Sequence, residues 1–169
     1  MDYSNFFTHE ELNPDKIKTE IYKLFGFNGK QLKFKNSSQF AGHIASFFSP
    51  NTLFVVRDDP NWANCNTPDD IYDSWLLLDI VGWLNIINEL WIENNCCVVI
   101  GGFKGINDQH MVSQYETKYS CKMLFNEDYK IYECTMINKN IYQWSKKIQN
   151  NNTNNTNNMD YIENNNINN

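Results

Sequence analysis

Apolar residues fall along this chain in short blocks separated by polar, Asn- and Asp-rich stretches, and each block predicts an element. The first twenty residues are mostly polar and read as an arm or short helix. Asn13-Pro14-Asp15 has the form of a helix start, since Asn accepts from unpaired N–H groups and Pro fits the first turn. Between Phe25 and Phe34 an Asn28-Gly29 pair lies between alternating arms, which predicts a hairpin. Residues 39–48 place Phe40, Ile44 and Phe47 along one side of a short helix. The run Leu53-Phe54-Val55-Val56 is continuously apolar, as in a strand buried on both faces.

A polar loop over residues 57–68 follows. Thr67 then offers an N-cap, Pro68 the first helical position, and Asp69 and Asp70 a first turn that suits the helix dipole. The expected helix runs on to about Glu93, with a break near Gly82 as the alternative, and over residues 71–92 fifteen of 22 residues are apolar or aromatic. That is more than one sheet-facing stripe needs, so its second face predicts a partner: another helix, a homodimer or a different protein. Asp73, Asp79, Asn85, Asn88 and Glu89 interrupt the run and exclude a membrane span.

Cys96 to Ile100 reads as a second buried strand ending in Gly101-Gly102-Phe103-Lys104-Gly105. Asn107 or Asp108 starts a third helix with Met111, Val112, Tyr115 and Tyr119 at helical spacing. Residues 121–125 read as a third strand, Asn126-Glu127-Asp128 as a turn and helix N-cap leading into residues 131–137, and residues 141–148 as a last helix. Alternating strands and helices predict an α/β fold with right-handed crossovers. The expected domain is 21–148, between an arm at 1–20 and a tail at 149–169.

Composition changes this picture mainly at the end of the chain. Of 28 asparagines, twelve lie within residues 150–169, while the whole chain has three alanines and one arginine. That bias is the imprint of AT-rich coding DNA, and the Asn-rich tail lacks the apolar content to order itself. The body, in a chain 41% hydrophobic and 15% aromatic, has enough for a core. A net charge of −6 and a pI near 5.0 exclude a nucleic-acid partner, which would need clustered Lys and Arg. Five cysteines without a secretion signal at the N-terminus point to the reducing cytoplasm.

Candidate chemistry narrows quickly. Gly101-Gly102-x-x-Gly105 has the wrong spacing for a dinucleotide fingerprint, so no cofactor is expected. The oxygen-rich stretch from Asp58 to Asp70 lacks the late bidentate Glu of a calcium loop, and His9, His43 and His110 are too scattered for zinc. Cys65 remains. It sits just before a helix start, where the dipole favours a thiolate and Arg57 could add positive charge, although Asp58, Asp59, Asp69 and Asp70 oppose this. Cys96 and Cys97 read as core packing, while Cys121 and Cys134 would be resolving partners only if folding brought one to Cys65.

The phrases NGKQLKFKNSSQFAGHI, LFVVRD, CCVVIGG and VSQYETKYSCKMLFNEDYKIYECTMI, taken in order, resemble the peroxiredoxin-like 2 proteins. These belong to the alkyl hydroperoxide reductase and thiol-specific antioxidant class of the thioredoxin-like fold. The resemblance implies a central sheet flanked by helices, here lacking the last strands, and antioxidant redox chemistry. The family's Arg-x-x-x-Cys-x-x-Cys would fall on Asn61 and Asn64, or, after a four-residue insertion, on Cys65 and Pro68. Two readings follow. In one, the domain has lost its redox motif and serves in binding or dimerisation. In the other, it is a one-cysteine reductase or peroxidase, with Cys65 as nucleophile and Arg57 as its support.

Overall fold

The computed structural model of the chain describes residues 11–57, 59, 62 and 64–138. Three helices and six strands follow one another as α1 (Pro14–Phe25), β1 (Gln31–Lys33), α2 (Ser37–Ala45), β2 (Phe48–Arg57), α3 (Pro68–Leu76), β3 (Gly82–Glu93), β4 (Cys96–Ile106), β5 (Thr117–Phe125) and β6 (Ile131–Asn138). Residues 1–10 of the expected arm, the helix expected at 141–148 and the tail at 149–169 lie outside the described residues. No helix among the described residues is long and apolar enough to cross a membrane.

The helix starts follow the capping chemistry of the sequence. Asn13 Oδ1 accepts from the Asp15 amide at 2.9 Å, with Pro14 at the first helical position. Asn36 Oδ1 accepts from Gln39 N, and Thr67 Oγ1 accepts from Asp70 N. Each cap satisfies a donor that the helix itself leaves unpaired. The inward residues are Ile17, Ile21, Leu24 and Phe25 on α1, Phe40 and Ile44 on α2, and Ile71 and Trp75 on α3.

All six strands form one sheet in the order β1-β3-β4-β5-β6-β2. β3, β4, β5 and β6 are joined as successive antiparallel neighbours, and β1 adds to β3 antiparallel. The β2–β6 pair is parallel. This corrects the α/β, thioredoxin-like expectation: the helices precede β3 in sequence instead of alternating with parallel strands, and the architecture is α+β. Nor is the sheet truncated, since β2 closes one side against β6.

The largest single correction lies at residues 71–92, expected to be one helix. α3 ends at Leu76, Asp79 takes a positive φ of 53°, and β3 begins at Gly82. Trp83, Asn85 and Ile87 are buried while Ile86, Asn88 and Glu89 are exposed, a period of two at the start of the strand. The partner-binding helix over 71–92 therefore does not exist. Residues 131–137, expected to follow an N-cap at Asn126–Asp128, are strand β6, and the third expected helix fails in the same way. Asn107 Oδ1 accepts from Gln109 N and Met111 N, so the expected cap closes a turn, and Tyr119 belongs to β5. The Asn28-Gly29 turn forms, but it joins α1 to β1 and not two arms of a hairpin.

A bulge at Asn88 bends β3, because Ile87 pairs with Gly101 while Glu89 pairs with Ile100. Asn28 fastens this bend: its Oδ1 accepts from Ile87 N at 2.8 Å and its Nδ2 donates to Ile87 O at 3.0 Å. Gly101 lies opposite within β4, where a Cβ would collide with the Ile86 carbonyl. Gly101, expected to sit in a strand-ending turn, thus serves close strand approach at the bend.

Candidate functional site

Bending gives the sheet an inner face, against which α1, α2 and α3 pack. Side chains from all three helices and from β2, β3, β5 and β6 meet there around a cavity of about 20 Å³. Aromatic rings occupy most of the surrounding space. Trp83 lies 4.9 Å from Phe103, 5.1 Å from Phe40, 5.6 Å from Trp75 and 5.7 Å from Phe25 between ring centroids. Its indole Nε1 donates to the Phe25 carbonyl at 2.9 Å, which fixes the ring and satisfies a buried acceptor. Trp62 and Phe54 continue the cluster toward the β2 side.

Polar groups on this face are few. Tyr119 Oη donates to Asn85 Oδ1 at 2.7 Å, and both residues are buried. Burial pushes the Tyr119 phenol well above its ordinary value, with Cys121 adding to the rise and the Asn85 hydrogen bond opposing it. Asn85 Nδ2 and Trp75 Nε1 are buried without a hydrogen-bond partner among the described residues. Sequence reading missed the Asn85–Tyr119 pair, because Asn85 was read as an interruption in one helix and Tyr119 as part of another. The available signal was the alternation Trp83, Asn85, Ile87.

Sulfur is the other inner-face chemistry. Cys97, Cys121, Met123, Cys134 and Met136 all point inward and are buried. Cys121 Sγ and Cys134 Sγ are 3.4 Å apart. Their mutual contact and burial hold the Cys134 thiol well above its usual range, and burial pushes Cys97 up to about 12. Cys97 and Cys134 are protonated thiols at neutral pH.

Cys65 and Arg57 both lie on the β2 side of the sheet. Cys65 is 1% exposed. Its backbone pairs with Phe54 in both directions, N to O at 2.9 Å and O to N at 2.8 Å, so this segment covers the outer edge of β2. Its Sγ lies 3.4 Å from Ser74 Oγ. Burial raises the thiol's pKa, the Ser74 contact lowers it and the Asp70 charge raises it further, the reverse of what a nucleophilic thiol needs. Arg57 is exposed at the end of β2, two residues on from the outward-facing Val55. Cys121 and Cys134 pair with each other and not with Cys65.

Among the described residues, the wall of this cavity carries no Asp, Glu, His, Lys or Arg. Among the described residues, no three His, Cys, Asp or Glu side chains converge as metal ligands.

No protein-family model matches this sequence, and no curated protein matches it. Solved structures do resemble its fold. A putative SnoaL-like polyketide cyclase from Shewanella denitrificans superposes with a TM-score of 0.53 at 10% identity, over 79% of this chain and 97% of that one. A hypothetical protein with a ketosteroid isomerase-like fold from Catenulispora acidiphila, in complex with trimethylamine, gives 0.50 at 9% identity over 74% and 85%. A de novo designed protein with a curved β-sheet gives 0.54 at 10% identity over 82% and 98%. The chain thus has the ketosteroid isomerase-like cone fold, also called NTF2-like. This overturns the peroxiredoxin-like resemblance and, with it, the thioredoxin-like, antioxidant and redox reading in both its active and its eroded form.

Proposed function

We propose that this chain is a protein-interaction domain that pairs with a second copy of itself through the outer face of its sheet. The carrying observation is the apolar content of that face. Trp91 is 64% exposed, Ile86 43%, Ile137 42% and Ile100 36%. Register places Ile100, Ser120 and Ile137 in one row across β4, β5 and β6, beside the row Trp91, Val98, Lys122, Thr135 and Val55. Large apolar groups grouped on one face of a sheet favour association.

Charge supports a second copy as the occupant. The row Glu93, Cys96, Leu124, Glu133 and Leu53 lies toward one end of the strands, and Lys104 and Lys118 lie toward the other. A two-fold axis in the plane of the interface, across the strands, brings acids of one protomer over lysines of the next. All five cysteines are outside disulfides, which suits a reducing compartment such as the cytoplasm.

Sedimentation of the full chain tests this. A dimer at micromolar concentration that Ile100→Glu converts to a folded monomer is the expected result. A wild-type chain that stays monomeric at high micromolar concentration overturns the proposal. So does a dimer that is indifferent to both Ile100→Glu and Trp91→Ala.

A further inference from the structure

Four sulfur-bearing residues form a compact block on the inner face of β5 and β6. Cys121 pairs across with Met136, and Met123 pairs across with Cys134. In this two-by-two arrangement the cysteines occupy one diagonal and the methionines the other. The thiol sulfurs approach to 3.4 Å, and all four side chains line the same cavity of about 20 Å³. That volume holds one water-sized occupant but too few polar neighbours to hold a water by hydrogen bonds. A single soft ion is matched to such a space.

We propose that Cys121, Met123, Cys134 and Met136 form a buried site for one monovalent soft metal ion, Cu(I) being the type. Thiolate and thioether donors select Cu(I), whereas zinc sites are built from three or four Cys, His or carboxylate groups. Among the described residues no such hard or borderline donor set converges. Charge points to a monovalent ion as well. Binding forms one Cu–S bond to a thiolate as that cysteine's S–H bond breaks and its proton passes to solvent. The other thiol and both thioethers donate as neutral groups, so a single positive charge and a single thiolate leave the apolar cavity without net charge. A divalent ion would leave it charged. No electron transfer is involved.

The test is an anaerobic titration of the full chain with Cu(I), in competition with a coloured Cu(I) chelator. One retained equivalent is expected, with Cys121→Ser or Cys134→Ser losing it and Cys96→Ser keeping it. Because serine in the core can unfold the chain, the volume-conserving double change Met123→Leu with Met136→Leu is measured alongside, with circular dichroism to confirm folding. Loss of the bound equivalent in this folded double variant supports the four-sulfur site, while unchanged retention overturns it. X-ray absorption on the wild type gives an independent reading. A shell of sulfur scatterers alone is expected, and nitrogen or oxygen neighbours, or no retained copper at all, overturn the proposal.

Discussion

The two faces of one sheet are built from alternate residues of the same strands, yet they do different work. Inward, Trp83, Phe103, Tyr119, Met123 and Cys134 pack against three helices and are nearly inaccessible. Outward, Ile86, Trp91, Ile100 and Ile137 sit among Glu89, Lys118 and Lys122 and remain open. Both faces are apolar, but only the inner one has found its cover within the described chain. Hydrophobicity alone therefore does not identify the core of this protein. What separates the faces is the bend at Asn88, which directs one set of side chains toward the helices and the other away from them.

Breaking the inner face should cost most. Trp83→Ala removes a ring that touches Phe25, Phe40, Trp75 and Phe103 and strands the Phe25 carbonyl. Urea unfolding is expected to show a loss of about 3–5 kcal/mol. Trp91→Ala, on the same strand but facing out, is the matching control. Monomer stability should change by less than about 0.5 kcal/mol, with the effect appearing instead in self-association. Equal losses from the two tryptophans would erase the distinction between the faces.

A second pair of changes probes what holds the bend and the helices. Asn28→Ala deletes both hydrogen bonds to Ile87, and at about 0.5–1.5 kcal/mol each the expected loss in the same unfolding measurement is about 1–3 kcal/mol. Thr67→Ala, which removes only the α3 cap, should cost about 1 kcal/mol. An Asn28 effect no larger than the Thr67 effect would mean that the bend holds itself.

The smallest effect is a pH dependence. His43 lies between the Phe34 and Phe47 rings, and burial lowers its pKa below 6.5, with hydrogen bonds to the Leu24 and Lys23 backbone opposing the shift. A base whose folded pKa is depressed binds fewer protons folded than unfolded. Its contribution is therefore complete above about pH 6.5 and is lost as pH falls through the lower, folded value. The urea midpoint should drop on acidification from pH 7.5 through this window, and His43→Gln should flatten that part of the profile. An unchanged slope in His43→Gln would assign the acid sensitivity to the carboxylates.

Local chemistry was legible wherever one residue contacts its near neighbours. The caps at Asn13 and Thr67, the turns at Asn28-Gly29 and Asn126, and the strands around Phe54 and Val99 were all readable in this way. The candidate site was not. Cys65 drew attention because it precedes a helix start, but its burial and its pairing with Phe54 depend on a strand edge that the local sequence does not reveal. Asn85 and Tyr119 are 34 positions apart and become partners only when β3, β4 and β5 align.

The sequence by itself determined the helix caps, the turns, the acidic balance and the existence of a core large enough to fold. Tertiary structure decided whether residues 71–92 were helix or strand, and which of the apolar faces closed. The physical reason is that an amphipathic pattern reports how much surface must be buried, not what buries it. In residues 82–93 apolar side chains occupy both faces, so the period of two is blurred until the bulge at Asn88 and the antiparallel partner β4 impose it. The same register sets two thiols and two thioethers around one small cavity, an arrangement that no local stretch of this sequence contains.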